Sequence, residues 1–283
     1  MTRARVLSVA TALAVLWLAA AGLLYLFQEQ MVFIPARRLV ATPQALGLRY
    51  EDVRIEAGDE GISLHGWYVP AAVRAPTLLY LHGNAGNVSH RLVPLQVLHA
   101  LGLNVLIIDY RGYGLSGGRP SEEGTYRDAA AAWAFLTLQR AIRPGRIVLY
   151  GESLGAAVAI WLANRYTPGA VLLEAPFTSL QEVARRHFPI FPAGLILHLH
   201  YPSLERIAAL SCPILIIHSR SDEIVPIEQG LRLYAAASVK HKRFFERSGG
   251  HNDAFFLEPE PLAAAIRAFL NAQGLADESE RRE

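Results

Sequence analysis

The sequence predicts an α/β fold, a mostly parallel central sheet with helices on both faces, preceded by one apolar N-terminal helix. Several short apolar runs show almost no alternation, which is typical of strands that are buried on both faces. Stretches rich in Ala and Leu separate most of these runs, as in a sheet built from strand–helix units. The length of 283 residues suits one such domain with a small addition.

The composition indicates which ligands and cross-links the chain is unsuited to. The net charge is +2 and the chain has no long basic run, so nothing indicates nucleic acid. One cysteine, Cys212, precedes Pro213 at the start of an apolar run. A disulfide within the chain and a Cys-rich metal site are therefore excluded, and a buried structural thiol is predicted.

Residues 1–30 predict a membrane anchor. Residues 6–27 carry no charge, and their only polar side chains are those of Ser8 and Thr11. As a helix, this run would extend about 33 Å, which is enough to cross a bilayer. Arg3 and Arg5 precede the run and favour a cytoplasmic N-terminus, which predicts a single-pass protein with its main domain on the non-cytoplasmic side.

A cleaved signal peptide is the alternative interpretation of the same segment. Ala19, Ala20 and Ala21 would supply the small residues of a cleavage site. The anchor is favoured because the apolar run continues for six residues past Ala21.

Residues 31–274 predict the α/β domain itself. Two alternating runs on either side of Gly58 and Gly61 predict an antiparallel hairpin. The spacing of Thr125 and Asp128 predicts a helix that begins at Thr125. The last helix is expected to end at Gly274, and residues 275–283 are expected to be disordered. Six further strands are predicted at "TLLYLHG", "NVLIIDY", "RIVLYG", "AVLLEA", "PILIIHS" and "KRFFER".

An apolar segment with several prolines interrupts the alternation of strands and helices at residues 177–210. We interpret it as a short cap inserted over the domain. Its apolar side chains either line an acyl pocket, with Phe188, Phe191 and Leu195 as the candidate substrate-binding residues, or pack the cap onto the sheet.

The pattern Gly-x-Ser-x-Gly occurs twice, around Ser116 and around Ser153. A nucleophilic serine in this pattern needs a strand before it, a tight turn and a helix after it. Ser153 follows the apolar run "RIVLY" and precedes the Ala-rich run "AAVAIWLANRY", whereas loop residues follow Ser116. The pattern therefore predicts Ser153 as the nucleophile and Ser116 as inert.

A serine needs a base, and the base needs an orienting acid. His251 lies after a strand, in the turn "SGGHND", and comes late in the chain as the order Ser, Asp, His requires. Asp222 follows the strand "LIIH" between the serine and the histidine, so we predict it as the acid. Its neighbour Glu223 is the alternative.

The oxyanion formed on attack needs two N–H donors. The first is expected from Leu154, the residue after the nucleophile. The second is expected from Asn84, because Gly83 lets the loop after the strand "LLYL" turn tightly. A Gly/Asn turn without a catalytic part is the alternative.

These motifs together resemble the α/β-hydrolases. "YLHGNAGN", "DYRGYGLSGG", "YGESLGAAVA", "LEAPFTSL", "DEIVP" and "GGHND" occur in the order seen in that family. The resemblance is greatest to its membrane-anchored branch, the alpha/beta-hydrolase domain proteins of the thirteen and seventeen type and their bacterial relatives. It implies the same assignment, with Ser153, Asp222 and His251 as the triad and Asn84 and Leu154 as the oxyanion donors.

The predicted activity is hydrolysis of a carboxylic ester or thioester through an acyl-enzyme, without a metal or organic cofactor. The expected substrate is a small or lipid-like acyl compound. An amide or peptide hydrolase with the same triad, and a non-catalytic binding module tethered to the membrane, are the alternatives. The sequence does not define the oligomeric state.

Overall fold

A computed structural model describes residues 3–58, 61–72 and 74–275 of the chain. Asp59 and Glu60 of the predicted hairpin turn and residues 276–283 of the predicted disordered tail lie outside the described residues. The strands of the described part are β1 (Ile34–Pro35), β2 (Glu51–Glu56), β3 (Ser63–Val69), β4 (Thr77–Leu81), β5 (Ala85–Gly86), β6 (Asn104–Ile108), β7 (Ile147–Glu152), β8 (Ala170–Glu174), β9 (Ile214–Ser219) and β10 (Lys242–Arg247).

The α-helices of the same residues are α1 (Arg3–Val32), α2 (Leu92–Ala100), α3 (Glu122–Ala134), α4 (Leu154–Arg165), α5 (Leu180–His187), α6 (Ala193–Ile196), α7 (Ser203–Ile207), α8 (Ile227–Ala236), α9 (Ala254–Leu257) and α10 (Pro259–Ala272).

Eight strands of the described residues form one sheet in the order β10-β9-β8-β7-β4-β6-β3-β2. The six strands from β10 to β6 in this order are parallel, and β3 and β2 are antiparallel additions at one edge. The predicted hairpin and the six predicted strands are confirmed. Strands β4 and β6 to β9 are buried almost throughout, because helices cover both faces of the sheet.

Two apolar cores lie on the two sides of the sheet. One contains Leu79, Leu149 and Val158, and the other contains Leu78, Val148 and Ile266. Neighbouring residues of one strand thus point into different cores, as the twofold period of a strand requires. The predicted α/β-hydrolase fold class is confirmed by this architecture.

Helix α3 begins earlier than the sequence pattern predicted. It starts at Glu122, and the Ser121 side chain caps it by accepting the Gly124 N–H. Thr125 is already inside the helix, where its hydroxyl donates to the Glu122 carbonyl. The predicted start at Thr125 is wrong because Ser121 offers its own cap one turn earlier.

The N-terminal helix α1 has 30 residues, and it is the helix of the described chain with the length and composition to cross a membrane. It extends five residues beyond the predicted apolar run, as far as Val32. Its C-terminal half contacts the segment 177–210, which contains α5, α6 and α7. We call residues 177–210 the cap segment.

Candidate active site

Ser153 lies at a sharp turn between β7 and α4, and its backbone is strained, with φ 52° and ψ −110°. A β-carbon on Gly155 would lie 1.9 Å from the Leu81 carbonyl oxygen, and one on Gly151 would lie 2.4 Å from the Gly155 oxygen. Both glycines are therefore required for the turn that lifts the serine above the edge of the sheet. A strained non-glycine residue of this kind is typical of functional sites.

His251 joins Ser153 and Asp222 into one hydrogen-bonded chain. Its Nε2 atom lies 3.0 Å from Ser153 Oγ, and its Nδ1 atom lies 2.7 Å from Asp222 Oδ2. In the sequence, His251 is 98 positions from Ser153 and 29 positions from Asp222. They meet because each follows a parallel strand at the same edge of the sheet.

The Asp222 carboxylate is held as an anion. Its Oδ1 atom accepts the backbone N–H groups of Ile224 and Val225 at 2.9 and 2.7 Å. Burial by itself would raise the pKa of Asp222, but hydrogen bonds from His218 and His251 lower that pKa below its usual value. The acid therefore stays charged at neutral pH and holds the Nδ1 proton of the imidazole.

The alternative acid, Glu223, has a different partner. Its carboxylate accepts the backbone N–H of His251 at 3.0 Å, and so it holds the loop rather than the ring. Asp253 accepts the Gly250 N–H at 2.8 Å. From the other side, the Arg247 guanidinium donates to the carbonyls of Gly250 and His251, both at 2.7 Å. The histidine is thus fixed by its own loop.

Ser116 lies away from this chain and has a structural environment. Its side chain is buried, accepts the His65 N–H at 2.8 Å and donates to the Asp109 carbonyl at 2.7 Å. Burial would raise the pKa of Asp109, but hydrogen bonds from His65 and His82 lower it. Ser116 and Asp109 therefore belong to a buried polar network that ties the loop after β6 to β3.

Asn84 and Leu154, the predicted oxyanion donors, both line the cavity that contains Ser153 and His251. Leu154 opens helix α4, so its N–H has no carbonyl partner within the helix. The loop around Asn84 is held by its side chain, which donates to the Val32 carbonyl, and by Tyr113, which donates to the Asn84 carbonyl. Its backbone N–H donates to no protein acceptor among the described residues.

The cavity above Ser153 has a volume of about 470 Å³, which is within the range for small-molecule sites. Phe188 and Phe191 of the cap segment line it, as predicted from the sequence. Leu195 does not, since its side chain is 84% exposed on the outer side of the cap segment. The short helix α6 turns Leu195 outward and leaves Ala193 and Ile196 facing inward.

A pair of carboxylates beside the nucleophile, one buried (Glu174) and one partly buried (Glu152), was not predicted. Glu152 and Glu174 are paired residues of β7 and β8, and the Glu174 carbonyl accepts the Ser153 N–H at 2.8 Å. Burial and the nearby Glu152 raise the pKa of Glu174 to about 7, and Tyr150 donates a hydrogen bond to it. Burial would also raise the pKa of Glu152, but the Arg91 guanidinium, 2.8 Å away, lowers it.

One face of helix α1 is also part of the site, which was not predicted from the sequence. Leu24, Gln28, Met31 and Val32, all on α1, line the same cavity as Ser153. Gln28 comes directly after the apolar run and is followed by Glu29 and Gln30, so no local signal distinguished it from an ordinary polar end of the helix.

The sheet order, the strained serine after β7 and its hydrogen-bonded histidine define the α/β-hydrolase class. Residues 76–195 match the family model of the alpha/beta hydrolase fold. The chain is 43% identical over 245 residues to an uncharacterized protein of Mycobacterium tuberculosis, with 86% of this chain and 87% of that protein covered. It is 34% identical to the alpha/beta hydrolase domain-containing protein WAV2 of Arabidopsis thaliana, over 84% of this chain and 85% of that one. The chain belongs to the α/β-hydrolase family.

A solved structure gives the same fold at lower identity. The Pyrococcus furiosus esterase Pf2001 superposes with a TM-score of 0.73 at 22% identity, over 85% of this chain and 98% of the esterase. At this identity the likeness concerns the fold alone. It agrees with the strand order and helix placement described above.

Proposed function

We propose that this protein is a serine hydrolase that cleaves a carboxylic ester or thioester. The observation that carries the proposal is the continuous hydrogen-bonded chain from Ser153 through His251 to Asp222. This arrangement activates a serine hydroxyl, which is otherwise a weak nucleophile. Membership of the α/β-hydrolase family supports a hydrolytic reaction.

In the proposed reaction, Ser153 Oγ attacks the substrate carbonyl carbon while His251 Nε2 takes the hydroxyl proton. The oxyanion is stabilised by the backbone N–H groups of Leu154 and Asn84. The carbonyl re-forms, the bond to the leaving group breaks, and His251 gives the proton to the departing alcohol or thiol. Water, activated by His251, then releases the acid from Ser153, and Asp222 stabilises the charged imidazole in both stages.

The cavity supports an acyl substrate rather than a strongly polar one. Its walls consist mainly of Leu, Ile, Val and Phe side chains, with polar groups confined mostly to the floor around Ser153. Such a site binds an apolar chain and fixes its reactive carbonyl at one end. We therefore propose a small or lipid-like acyl compound as the substrate.

Labelling by a fluorophosphonate tests the nucleophile. Wild-type protein and the Ser116→Ala variant are expected to react, and the Ser153→Ala variant is expected not to react. Ser116→Ala is the matched control, since it removes the same hydroxyl from the other Gly-x-Ser-x-Gly. Labelling that persists in Ser153→Ala would overturn the proposal.

We also propose that α1 remains attached as a single-pass anchor, with the hydrolase domain on the non-cytoplasmic side. Arg3 and Arg5 before the apolar run support this orientation. Carbonate washing should leave the protein in the membrane, and protease added to the non-cytoplasmic face should digest the domain. Release into solution with a new N-terminus near Gly22 would instead support a signal peptide.

A further inference from the structure

One face of α1 contacts the cap segment along half of the helix. Ala20, Ala21, Leu24, Gln28 and Val32 are partly or fully buried, whereas most of their neighbours on α1 are exposed. Steps of three and four residues place these positions on one side of a helix. The helix therefore has a defined protein-facing side as well as an outer side.

Polar groups on this face hold the cap segment by its backbone. The Gln28 side chain is 3% exposed, accepts the N–H groups of His198 and Leu199 and donates to the Ile196 carbonyl, with distances of 2.8, 3.3 and 3.2 Å. Closer to the N-terminus of α1, Trp17 Nε1 donates to the Ile190 carbonyl at 3.1 Å. These contacts satisfy backbone groups that would be costly to leave unpaired away from water.

The contact reaches far along the apolar run. Trp17 stacks on Phe191 of the cap segment, with ring centroids 5.6 Å apart. Trp17 lies ten residues before Phe27, where the run ends, which is about 15 Å along a helix. If residues 6–27 cross the bilayer, the cap residues beside Trp17 lie about one leaflet deep, since the hydrocarbon core is about 30 Å thick.

The outer surface of the cap segment fits such a position. Residues 188–195, which we call the cap tip, contain no charged side chain. Ile190 and Leu195 are 70% and 84% exposed, and neither lines the cavity. An exposed apolar patch of this kind marks a lipid or protein contact. Its continuity with an apolar helix of membrane-spanning length favours lipid.

We propose that the cap tip lies in the bilayer against α1, and that α1 forms one wall of the acyl-chain site. The substrate would then be a lipid ester or thioester resident in the membrane, and its acyl chain would reach Ser153 between α1 and the cap segment. This inference rests on the hydrolase function proposed above. Leu24 and Met31 line the cavity from α1, and in this proposal they determine the specificity for the acyl chain.

Insertion of the cap tip is tested first, on the full-length protein in phosphatidylcholine vesicles. In a Cys212→Ala background, Leu195→Cys carries an environment-sensitive fluorophore, and spin-labelled lipids serve as quenchers. Leu138→Cys is the matched control, because Leu138 is 81% exposed and precedes β7 at the opposite edge of the sheet from Ser153. We expect the fluorophore at position 195 to lose most of its emission and the one at position 138 to keep it. Equal quenching at the two positions would overturn insertion.

The wall formed by α1 is tested with the same vesicles and p-nitrophenyl esters of acetate, octanoate and palmitate. Leu24→Trp fills the cavity, and Leu23→Trp adds the same ring to an exposed neighbour. We expect Leu24→Trp to lower kcat/KM for the palmitate ester about tenfold or more relative to kcat/KM for the acetate ester. Leu23→Trp should change neither. An equal loss for all chain lengths, or the same effect from Leu23→Trp, would overturn the role of α1.

Fluorophosphonate labelling separates this inference from the function on which it rests. If the probe labels Ser153 in the wild type but Leu24→Trp keeps the wild-type chain-length preference, the role of α1 as a wall of the acyl-chain site is rejected. The proposed hydrolase function is then retained. A wild type that neither reacts with the probe nor cleaves any ester rejects both.

Discussion

The two oxygens of the Asp222 carboxylate have separate partners, and this division defines the state of the imidazole. Oδ1 accepts two backbone N–H groups, and Oδ2 faces His251 Nδ1 at 2.7 Å. Because the Asp222 carboxylate accepts hydrogen bonds at both oxygens, it keeps the proton of the His251 ring on Nδ1. Nε2 is then left without a proton and can take the one from Ser153.

Asp222→Asn should therefore lower kcat by roughly 10³ to 10⁴ while KM changes little. The amide oxygen would keep the two backbone N–H groups, so the NH₂ group would face Nδ1 and force the ring into the wrong tautomer. Steady-state kinetics on a soluble ester measure this effect. Glu223→Gln and Asp253→Asn are the controls, because the hydrogen bonds that their carboxylates make to the described residues are with backbone N–H groups. Near-normal kcat in Asp222→Asn would contradict the assignment.

At the scale of elements, the site depends on how closely α4 approaches β4. Gly155 in the first turn of the helix lies against the Leu81 carbonyl, with no space for a β-carbon. Ser153 directly precedes α4, so the free N–H groups at the start of this helix lie beside the negative charge that would develop in the proposed reaction. The turn that packs α4 against β4 thus also positions Leu154, the proposed oxyanion donor.

Gly155→Ala should destabilise the fold by about 3 kcal/mol or more, because the added methyl must push α4 away from the sheet. Thermal unfolding of the purified protein in detergent measures the loss. Gly145→Ala is the control, since a β-carbon there meets nothing within 4 Å. Equal stability of the two variants would show that the helix can move without cost.

A second contact between elements joins α1 to the cap segment through Gln28. Gln28→Leu keeps the size of the side chain but leaves the His198 N–H and the Ile196 carbonyl without their partner, at a cost of about 1–3 kcal/mol for each buried group. We expect the cap segment to open more often and trypsin to cut faster after Arg185 and Arg186. Gln30→Leu, at an exposed position of the same helix, should be cut at the wild-type rate. Equal rates in both variants would argue against the contact.

For the whole molecule, the buried Glu174 carboxylate makes the stability of the fold depend on pH in the range below neutrality. Burial and Glu152 raise the pKa of Glu174 to about 7 from an ordinary value of 4.5. Between these two values the unfolded chain releases the Glu174 proton and the folded protein retains it. This group therefore lowers the stability of the folded state as pH rises from about 4.5 to about 7, and its effect is constant above that.

Glu174→Gln should remove this contribution. The amide stays neutral at all pH values, and its oxygen can still accept the Tyr150 hydroxyl. We expect the melting temperature of the variant, relative to that of the wild type, to increase between about pH 5 and about pH 7 and to stay constant above that. Thermal unfolding at a series of pH values measures the difference. A difference that is independent of pH would contradict the raised pKa.

Much of the fold was accessible from local patterns. Buried strands appear as unbroken apolar runs, and the strong turn signals around Ser153 and His251 place both residues after strands. The elements most readily misjudged were the ends of helices. The start of α3 depends on the Ser121 cap, whereas the prediction relied on the Thr125–Asp128 spacing alone.

The sequence by itself determined the order of strands and helices, the strand ends that carry Ser153, Asp222 and His251, and the apolar run before them. These features depend on periodicity and on turn residues, which are local. Only the tertiary structure decided that Gln28 holds the cap segment, that Leu195 faces outward and that Glu174 lies beside Glu152. Each of these three features depends on contacts between residues that are distant in sequence. Such packing and burial of charge leave no local sequence pattern, so the features could not be inferred from the sequence.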